Sequence, residues 1–226
     1  MDDMLKDLNR RFDHAALQPQ VTEHDIVILC REALSHDLYG VAINPVWVRR
    51  ARQALTGSAV KIVSVAGFPL GAGRTDLKVA EAVKSVGDGA HEVDMVANIG
   101  WLVAEDFGKV VEEIAAVRKN LPYNVLLKVI IEAGKLTESQ QIAAARAVID
   151  GGAQFVKTST GFFGAATTDQ VTRLYKAVGG QIEVKASGGI RTVRQCREFI
   201  EAGATRLGSS ASVSIMEELR SRRGDR

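Results

Sequence analysis

Asp150-Gly151-Gly152-Ala153-Gln154-Phe155-Val156-Lys157 turns from helix to strand within a few residues, and the chain repeats this hinge. Gly87-Asp88-Gly89-Ala90-His91-Glu92-Val93-Asp94 and Glu201-Ala202-Gly203-Ala204-Thr205-Arg206-Leu207-Gly208 have the same form. In each, a Gly-Ala pair is followed by two variable residues, an apolar residue and then an exceptional one. The glycine suits the left-handed position that closes a helix, and the residues after it open a strand. Aligned this way, Asp94, Lys157 and Gly208 are expected at the same depth of three strands.

Other short β-rich runs extend the pattern: Val41-Ala42-Ile43-Asn44, Ile62-Val63-Ser64-Val65-Ala66, Val125-Leu126-Leu127-Lys128-Val129-Ile130-Ile131 and Glu183-Val184-Lys185-Ala186, with Phe12-Asp13-His14-Ala15 as an opening strand. They lack clean alternation, as buried parallel strands do. Between them lie amphipathic stretches such as Gln141–Ile149, and Thr137/Gln140, Thr167/Gln170 and Thr192/Gln195 have the spacing of capping boxes. Eight strands alternating with helices predict an α/β fold, a (β/α)8 barrel of the TIM type. The competing open, doubly wound sheet would carry a Gly-rich dinucleotide fingerprint after its first strand, and none occurs there. No Pro- or Ser-rich linker divides the chain, so residues 1–226 read as a single domain. Arg220, Arg222 and Arg223 read as part of a solvated, flexible tail from about residue 220 to 226.

Bulk properties narrow the function. The 226 residues are 46% hydrophobic and 25% charged, with a net charge of +2 and no basic block. Nucleic acid and anionic membranes are therefore not expected partners. No segment reaches the roughly 18 apolar residues of a membrane span, and the acidic N-terminus is no signal peptide. Cys30 and Cys196 share no ligand-type spacing and read as free thiols in a reducing compartment, so a soluble, cytoplasmic protein is expected. No His/Cys/carboxylate cluster has metal spacing, and neither metal nor cofactor is expected.

Chemistry is expected where charged residues sit in buried strands. A lysine there loses hydration and must find a partner or shed its proton. A neutral amine is a nucleophile toward carbonyls, and a second ammonium nearby lowers its pKa further. Lys157 and Lys185 occupy such strands, and alternation turns both, with Asp94, into the barrel if their apolar neighbours face the helices. Lys128 is a candidate supporting charge. The plainer alternative pairs each lysine structurally with an acid, and these residues alone leave open which lysine would be the nucleophile. Gly161, Gly188, Gly189, Gly208, Ser209 and Ser210 follow the last three strands. Backbone amides in such turns bind phosphate, and barrels commonly bind it after strands seven and eight.

These motifs resemble one family. Glu92-Val93-Asp94-Met95-Val96, Leu127-Lys128-Val129-Ile130-Ile131-Glu132, Phe155-Val156-Lys157-Thr158-Ser159-Thr160-Gly161-Phe162 and Val184-Lys185-Ala186-Ser187-Gly188-Gly189-Ile190-Arg191 are similar to segments of deoxyribose-phosphate aldolases. So are Asp13-His14, Gly67-Phe68-Pro69-Leu70-Gly71-Ala72 and Gly203-Ala204-Thr205-Arg206-Leu207-Gly208-Ser209-Ser210, in order over nearly the whole chain. The resemblance implies a metal-free class I aldolase that reversibly cleaves 2-deoxy-D-ribose 5-phosphate to D-glyceraldehyde 3-phosphate and acetaldehyde. By position it implies Lys157 as the Schiff-base residue and Lys185 as the amine that keeps Lys157 neutral and transfers protons. Asp94 matches a proton donor/acceptor and Asp13 an acid linked to Lys185. Ala15 stands where the family usually has Thr, the loop after Gly161 is shorter than in close relatives, and Ala211 replaces a phosphate-loop serine. A phosphate-binding isomerase and a non-catalytic sugar-phosphate binder are the alternatives. Barrels of this type often pair, so a homodimer is carried as an expectation.

Overall fold

The computed structural model describes residues 3–224. Eight parallel strands close into a barrel in the order β1 to β8. They are β1 Phe12–Ala16, β2 Gly40–Ile43, β3 Lys61–Ala66, β4 Glu92–Val96, β5 Leu126–Ile130, β6 Phe155–Lys157, β7 Glu183–Ser187 and β8 Arg206–Ser209. The helices are α1 Glu23–Ser35, α2 Val48–Ala54, α3 Thr75–Asp88, α4 Ile99–Val103, α5 Phe107–Lys119, α6 Glu138–Asp150, α7 Thr168–Val178, α8 Val193–Glu201 and α9 Ser212–Gly224. The expected barrel is therefore present, with two helices instead of one between β4 and β5. Among the described residues no helix is long and apolar enough to cross a membrane.

Local signals act where the sequence places them. Thr137, Thr167 and Thr192 each accept a hydrogen bond from the backbone N–H of a glutamine three residues on, whose side-chain oxygen accepts in turn from the threonine backbone N–H. Each cap satisfies helix-terminal N–H groups and is worth about 1 kcal/mol. The repeated hinge glycines all take positive φ: +118° at Gly89, +81° at Gly152 and +109° at Gly203. The region from residue 220, expected as a tail, is helical as far as Gly224, and exposed Arg222 pairs with Glu218 at 2.6 Å. Residues 225–226 lie outside the described residues.

Side-chain alternation divides each strand between two environments. Val93, Met95, Leu127, Val129, Val156, Val184, Ala186 and Leu207 join the apolar core with helix residues such as Ile114, Val148 and Leu174. Asp94, Lys128, Lys157 and Lys185, on the opposite parity, point into the barrel and are buried.

The expected common depth of Asp94, Lys157 and Gly208 is met once the tilt of the strands is included. Asp94 pairs in register with Lys128 and Lys128 with Phe155, while Lys157 pairs with Ile130. Lys157 thus stands two ladder positions beyond the register of Asp94, across two strands. Lys157 pairs next with Lys185 and Lys185 with Arg206, so Gly208 is displaced by two more. The cause is shear: strands in a closed barrel tilt, and the register must stagger for the sheet to meet itself. An offset of one position per strand is the stagger of an eight-stranded TIM barrel, so these three residues of alternate strands share one layer.

The mouth loop Gly67–Gly71 after β3 is tightly built. Gly71 has φ +67°, and a Cβ there would lie 2.1 Å from the Ala97 carbonyl oxygen. Gly71→Ala combines left-handed strain with a clash against backbone that cannot rotate away. We expect a loss of about 3 kcal/mol in urea unfolding, from strain and overpacking together. A loss below about 1 kcal/mol would show that the loop is not held as described.

Candidate active site

Seven charged side chains fill the barrel interior. β1 supplies Asp13, β4 supplies Glu92 and Asp94, and β5, β6, β7 and β8 supply Lys128, Lys157, Lys185 and Arg206. All are buried, with Arg206 the most exposed at 8%. Asp94 is the hub. Its Oδ2 accepts from Lys157 Nζ at 2.9 Å and from Lys185 Nζ at 2.6 Å, and its Oδ1 accepts from Lys128 Nζ at 2.9 Å. Asp13 Oδ2 accepts from Lys185, with Lys128 Nζ 3.9 Å away, and Asp13 Oδ1 accepts from Arg206 at 3.0 Å. Glu92 accepts from Lys128, and its other oxygen accepts from the Tyr39 hydroxyl at 2.5 Å.

The charges do not balance. Lys128, Lys157, Lys185 and Arg206 are four cations, facing the three carboxylates Asp13, Glu92 and Asp94. In a site this deeply buried, which screens charge poorly, the cheapest correction is for one amine to release its proton. Lys157 is placed for this. Burial, the largest influence, depresses its pKa; Asp94 opposes that, Lys185 and Lys128 reinforce it, and the result is about 8. Burial also works against Lys128, yet Asp94, Glu92 and Asp13 together raise its pKa above the ordinary lysine value. The carboxyls go the other way. Burial pushes both up, but Lys185, Lys128 and Arg206 hold Asp13 at about 2, and Lys128, Lys157 and Lys185 hold Asp94 well below the usual range.

A cavity of about 230 Å³ opens above this network at the C-terminal ends of the strands. Lys157 and Lys185 reach its wall, whereas Asp94, Asp13 and Lys128 stay behind them. The six expected phosphate-turn residues, Gly161, Gly188, Gly189, Gly208, Ser209 and Ser210, all line it, as do Ala15 and Arg191. Gly188 has φ +98°, and a Cβ on it would meet Gly164 O at 3.0 Å and Ser159 Oγ at 3.1 Å, so this turn closes only over glycine. The serines differ. Ser209 Oγ donates to Ile190 O at 2.7 Å and accepts from Ala211 N at 2.9 Å, so its hydroxyl braces the loop. Ser210 is exposed at the cavity.

Sequence reasoning missed four participants: Glu92, Arg206, Tyr39 and Glu132. Strand parity could have found Glu92 and Arg206, which stand two residues before Asp94 and Gly208 and so share their inward face. Glu132 had only its place after β5 as a signal. It is buried, with φ +48°, and accepts from Thr160 N at 3.0 Å and Thr160 Oγ1 at 2.7 Å. A non-glycine residue in that conformation is strained, and here its carboxylate ties down the loop that leaves Lys157.

The chain is similar to known proteins over most of its length. Residues 8–214 match the model of the family described as "DeoC/LacD family aldolase". The chain is 45% identical to a deoxyribose-phosphate aldolase of Brevibacillus brevis, over 92% of this chain and 95% of that protein. It is 47% identical to the deoxyribose-phosphate aldolase of Deinococcus radiodurans, over 90% and 93%. Among solved structures, a protein titled "QR15, an Aldolase" superposes with a TM-score of 0.92 at 38% identity, over 97% and 99% of the two chains. The tetrameric deoxyribose phosphate aldolase of Aeropyrum pernix gives 0.89 at 31% identity, over 96% and 92%. A barrel in which two wall-lining lysines share one bridging carboxylate, matched over nearly its full length by these proteins, belongs to the DeoC/LacD aldolase family.

Proposed function

We propose that this chain is a class I aldolase, an aldehyde-lyase that reversibly cleaves 2-deoxy-D-ribose 5-phosphate to D-glyceraldehyde 3-phosphate and acetaldehyde. The observation that carries this is Lys157: a buried amine held down to about 8, at the wall of a cavity rimmed by glycine and serine turns. The names of the relatives supply the substrate class.

In this mechanism the Lys157 amine attacks the aldehyde carbon of the open-chain sugar and gives a carbinolamine. Loss of water leaves a protonated imine. A base removes the 3-hydroxyl proton, the bond between the second and third carbons breaks, and its electron pair flows into the imine as an enamine. Glyceraldehyde 3-phosphate departs with the new carbonyl. Protonation of the enamine carbon and hydrolysis then free acetaldehyde and Lys157. Asp94, bonded to Lys157, and Lys185, bonded to the same Asp94 oxygen, carry the protons, directly or through water, and Asp13 holds Lys185 in place. Correctly placed proton transfers of this kind are worth about 10²–10⁴-fold each. Gly161, Gly188, Gly189, Gly208 and Ser210 grip the phosphate, chiefly through backbone amides.

The same proposal makes residues 1–226 one catalytic domain working in the cytoplasm, consistent with free Cys30 and Cys196. A homodimer is its simplest assembly. The tetrameric Aeropyrum pernix relative supports association, and light scattering on the purified chain measures it.

Borohydride added with acetaldehyde or the sugar phosphate is expected to leave stable mass on Lys157. The rate of adduct formation should rise with pH through about 8, because the neutral amine is the nucleophile. Full turnover without an adduct would overturn the imine and favour an isomerase-like or other chemistry. Neither adduct nor turnover would leave a binder. Deoxyribose lacking the 5-phosphate is expected to react with a KM raised at least about tenfold, the loss of one charge-assisted contact set.

A further inference from the structure

Beneath the reacting amines, at the N-terminal end of the barrel, lies a second tier of charge. Glu92 Oε2 accepts from Lys128 and lies 3.4 Å from Arg206 Nη1, while its Oε1 takes the Tyr39 hydroxyl. The Arg206 guanidinium stacks 3.4 Å from the Tyr39 ring centroid, has Phe155 on another side, and reaches up to Asp13. Glu92, Tyr39 and Arg206 do not line the upper cavity. Arg206 and Tyr39 border a different one, at the opposite end, with Gln154 and Glu183. They cannot touch a substrate held by Lys157.

Two buried chains nevertheless join them to it. One runs Glu92–Lys128–Asp94–Lys157, and the other Arg206–Asp13–Lys185–Asp94. Resting on the aldolase reading above, we infer that Glu92 and Arg206 are positioning residues for the amine chemistry, acting through Lys128 and Asp13. Glu92 pins Lys128 so that its ammonium points at Asp94 Oδ1. Arg206 pins Asp13 so that its carboxylate holds Lys185 against Asp94 Oδ2. Because every member is buried, ions in solution compensate little when one charge is deleted. The protonation of Lys157 then responds to charges it never contacts.

The groups facing this tier come from all sides. They are Asp13 on β1, Tyr39 before β2, Asp94 on β4, Lys128 on β5, Lys185 on β7 and, at the rim, Lys61 on β3, His91 next to Glu92 and Glu183 on β7. None of these can supply the missing charge at the Glu92 or Arg206 position, since the first five already have partners in the network and the last three stand at its edge.

The test uses signs. Glu92→Gln removes one carboxylate and leaves four cations against two, so ammonium at Lys157 is less favoured. Arg206→Gln removes one cation and leaves three against three, so it is more favoured. Adduct formation at Lys157, followed by mass with acetaldehyde and cyanoborohydride across pH, should shift its midpoint down for Glu92→Gln and up for Arg206→Gln. Each shift should be on the order of one pH unit, the effect of a unit charge across a few residues at protein dielectric. KM for the sugar phosphate should stay within about twofold, since the phosphate turns are untouched. Should one single variant not fold, the Glu92→Gln/Arg206→Gln double, which deletes one charge of each sign, is compared with the other single and must move back toward the unaltered midpoint. Shifts of the same sign, or none, would mean that Glu92 and Arg206 merely brace the barrel, and the inference fails alone. Absence of any Lys157 adduct in the unaltered chain overturns the aldolase reading, and the inference with it.

Discussion

Lys157→Leu is expected to lose both the borohydride adduct and turnover, the latter by at least about 10⁴-fold, because the covalent route disappears entirely. Lys185 cannot take over. It is the other amine at the cavity wall, but its Nζ is committed to the carboxylates of Asp13 and Asp94. The same substitution should not unfold the protein. It removes a partly desolvated amine, leaves three cations against three carboxylates, and fills similar volume with apolar carbon. Stability within about 2 kcal/mol of the parent is expected, since Asp94 keeps Lys128 and Lys185 as partners and is not left an unpaired buried charge. Peptide mass after borohydride treatment and urea unfolding together check the claim. Retained turnover in a folded Lys157→Leu variant would remove Lys157 from its assigned role.

Asp94→Asn should separate two steps that Lys157→Leu abolishes together. Asp94 receives hydrogen bonds from all three interior lysines. Without its charge, four cations face two carboxylates, and Lys157 loses the partner that pulls its pKa upward. The amine is then neutral at lower pH, so the adduct should still form, with its midpoint below about 8. Cleavage should nonetheless fall by about 10²–10⁴-fold, because the group that carries the proton is gone. Stability should drop by about 3–5 kcal/mol, the usual result of leaving buried charges unpartnered. Trapping, turnover and urea unfolding on one preparation test all three. If adduct and turnover vanish together while the protein stays folded, Asp94 acts in imine formation rather than in cleavage.

Strand identity was legible because it is written locally. The hinge glycines, the threonine caps and the runs from Ile62, Val125 and Glu183 each act within one or two turns of chain, and each appears where expected. Lys157, Lys185, Asp94 and the glycine turns were legible for a related reason. A charge in a buried strand, or a glycine pair after it, is conspicuous against its neighbours. The common depth of Asp94 and Lys157 was legible in the repeated hinge, but the ladder offset that gives it follows only from the closed, tilted sheet. Glu92 and Arg206 escaped notice at the starts of their strands, where charged residues are ordinarily solvated. Only the closure of the barrel buries them.

The amino-acid order by itself determined the barrel, the inward lysines and the polar turns, since hydrophobic period, capping and backbone conformation are short-range forces. It also assigned roles to Lys157 and Lys185 through resemblance. What the tertiary structure alone decided is the balance of charge among them. Asp94 becomes a bridge to three lysines, and Lys157 becomes the depressed amine through burial first and Lys185 second. Coulomb energies depend on distances across the barrel and on exclusion of water. Neither exists until strands far apart in the sequence have closed around the same few side chains.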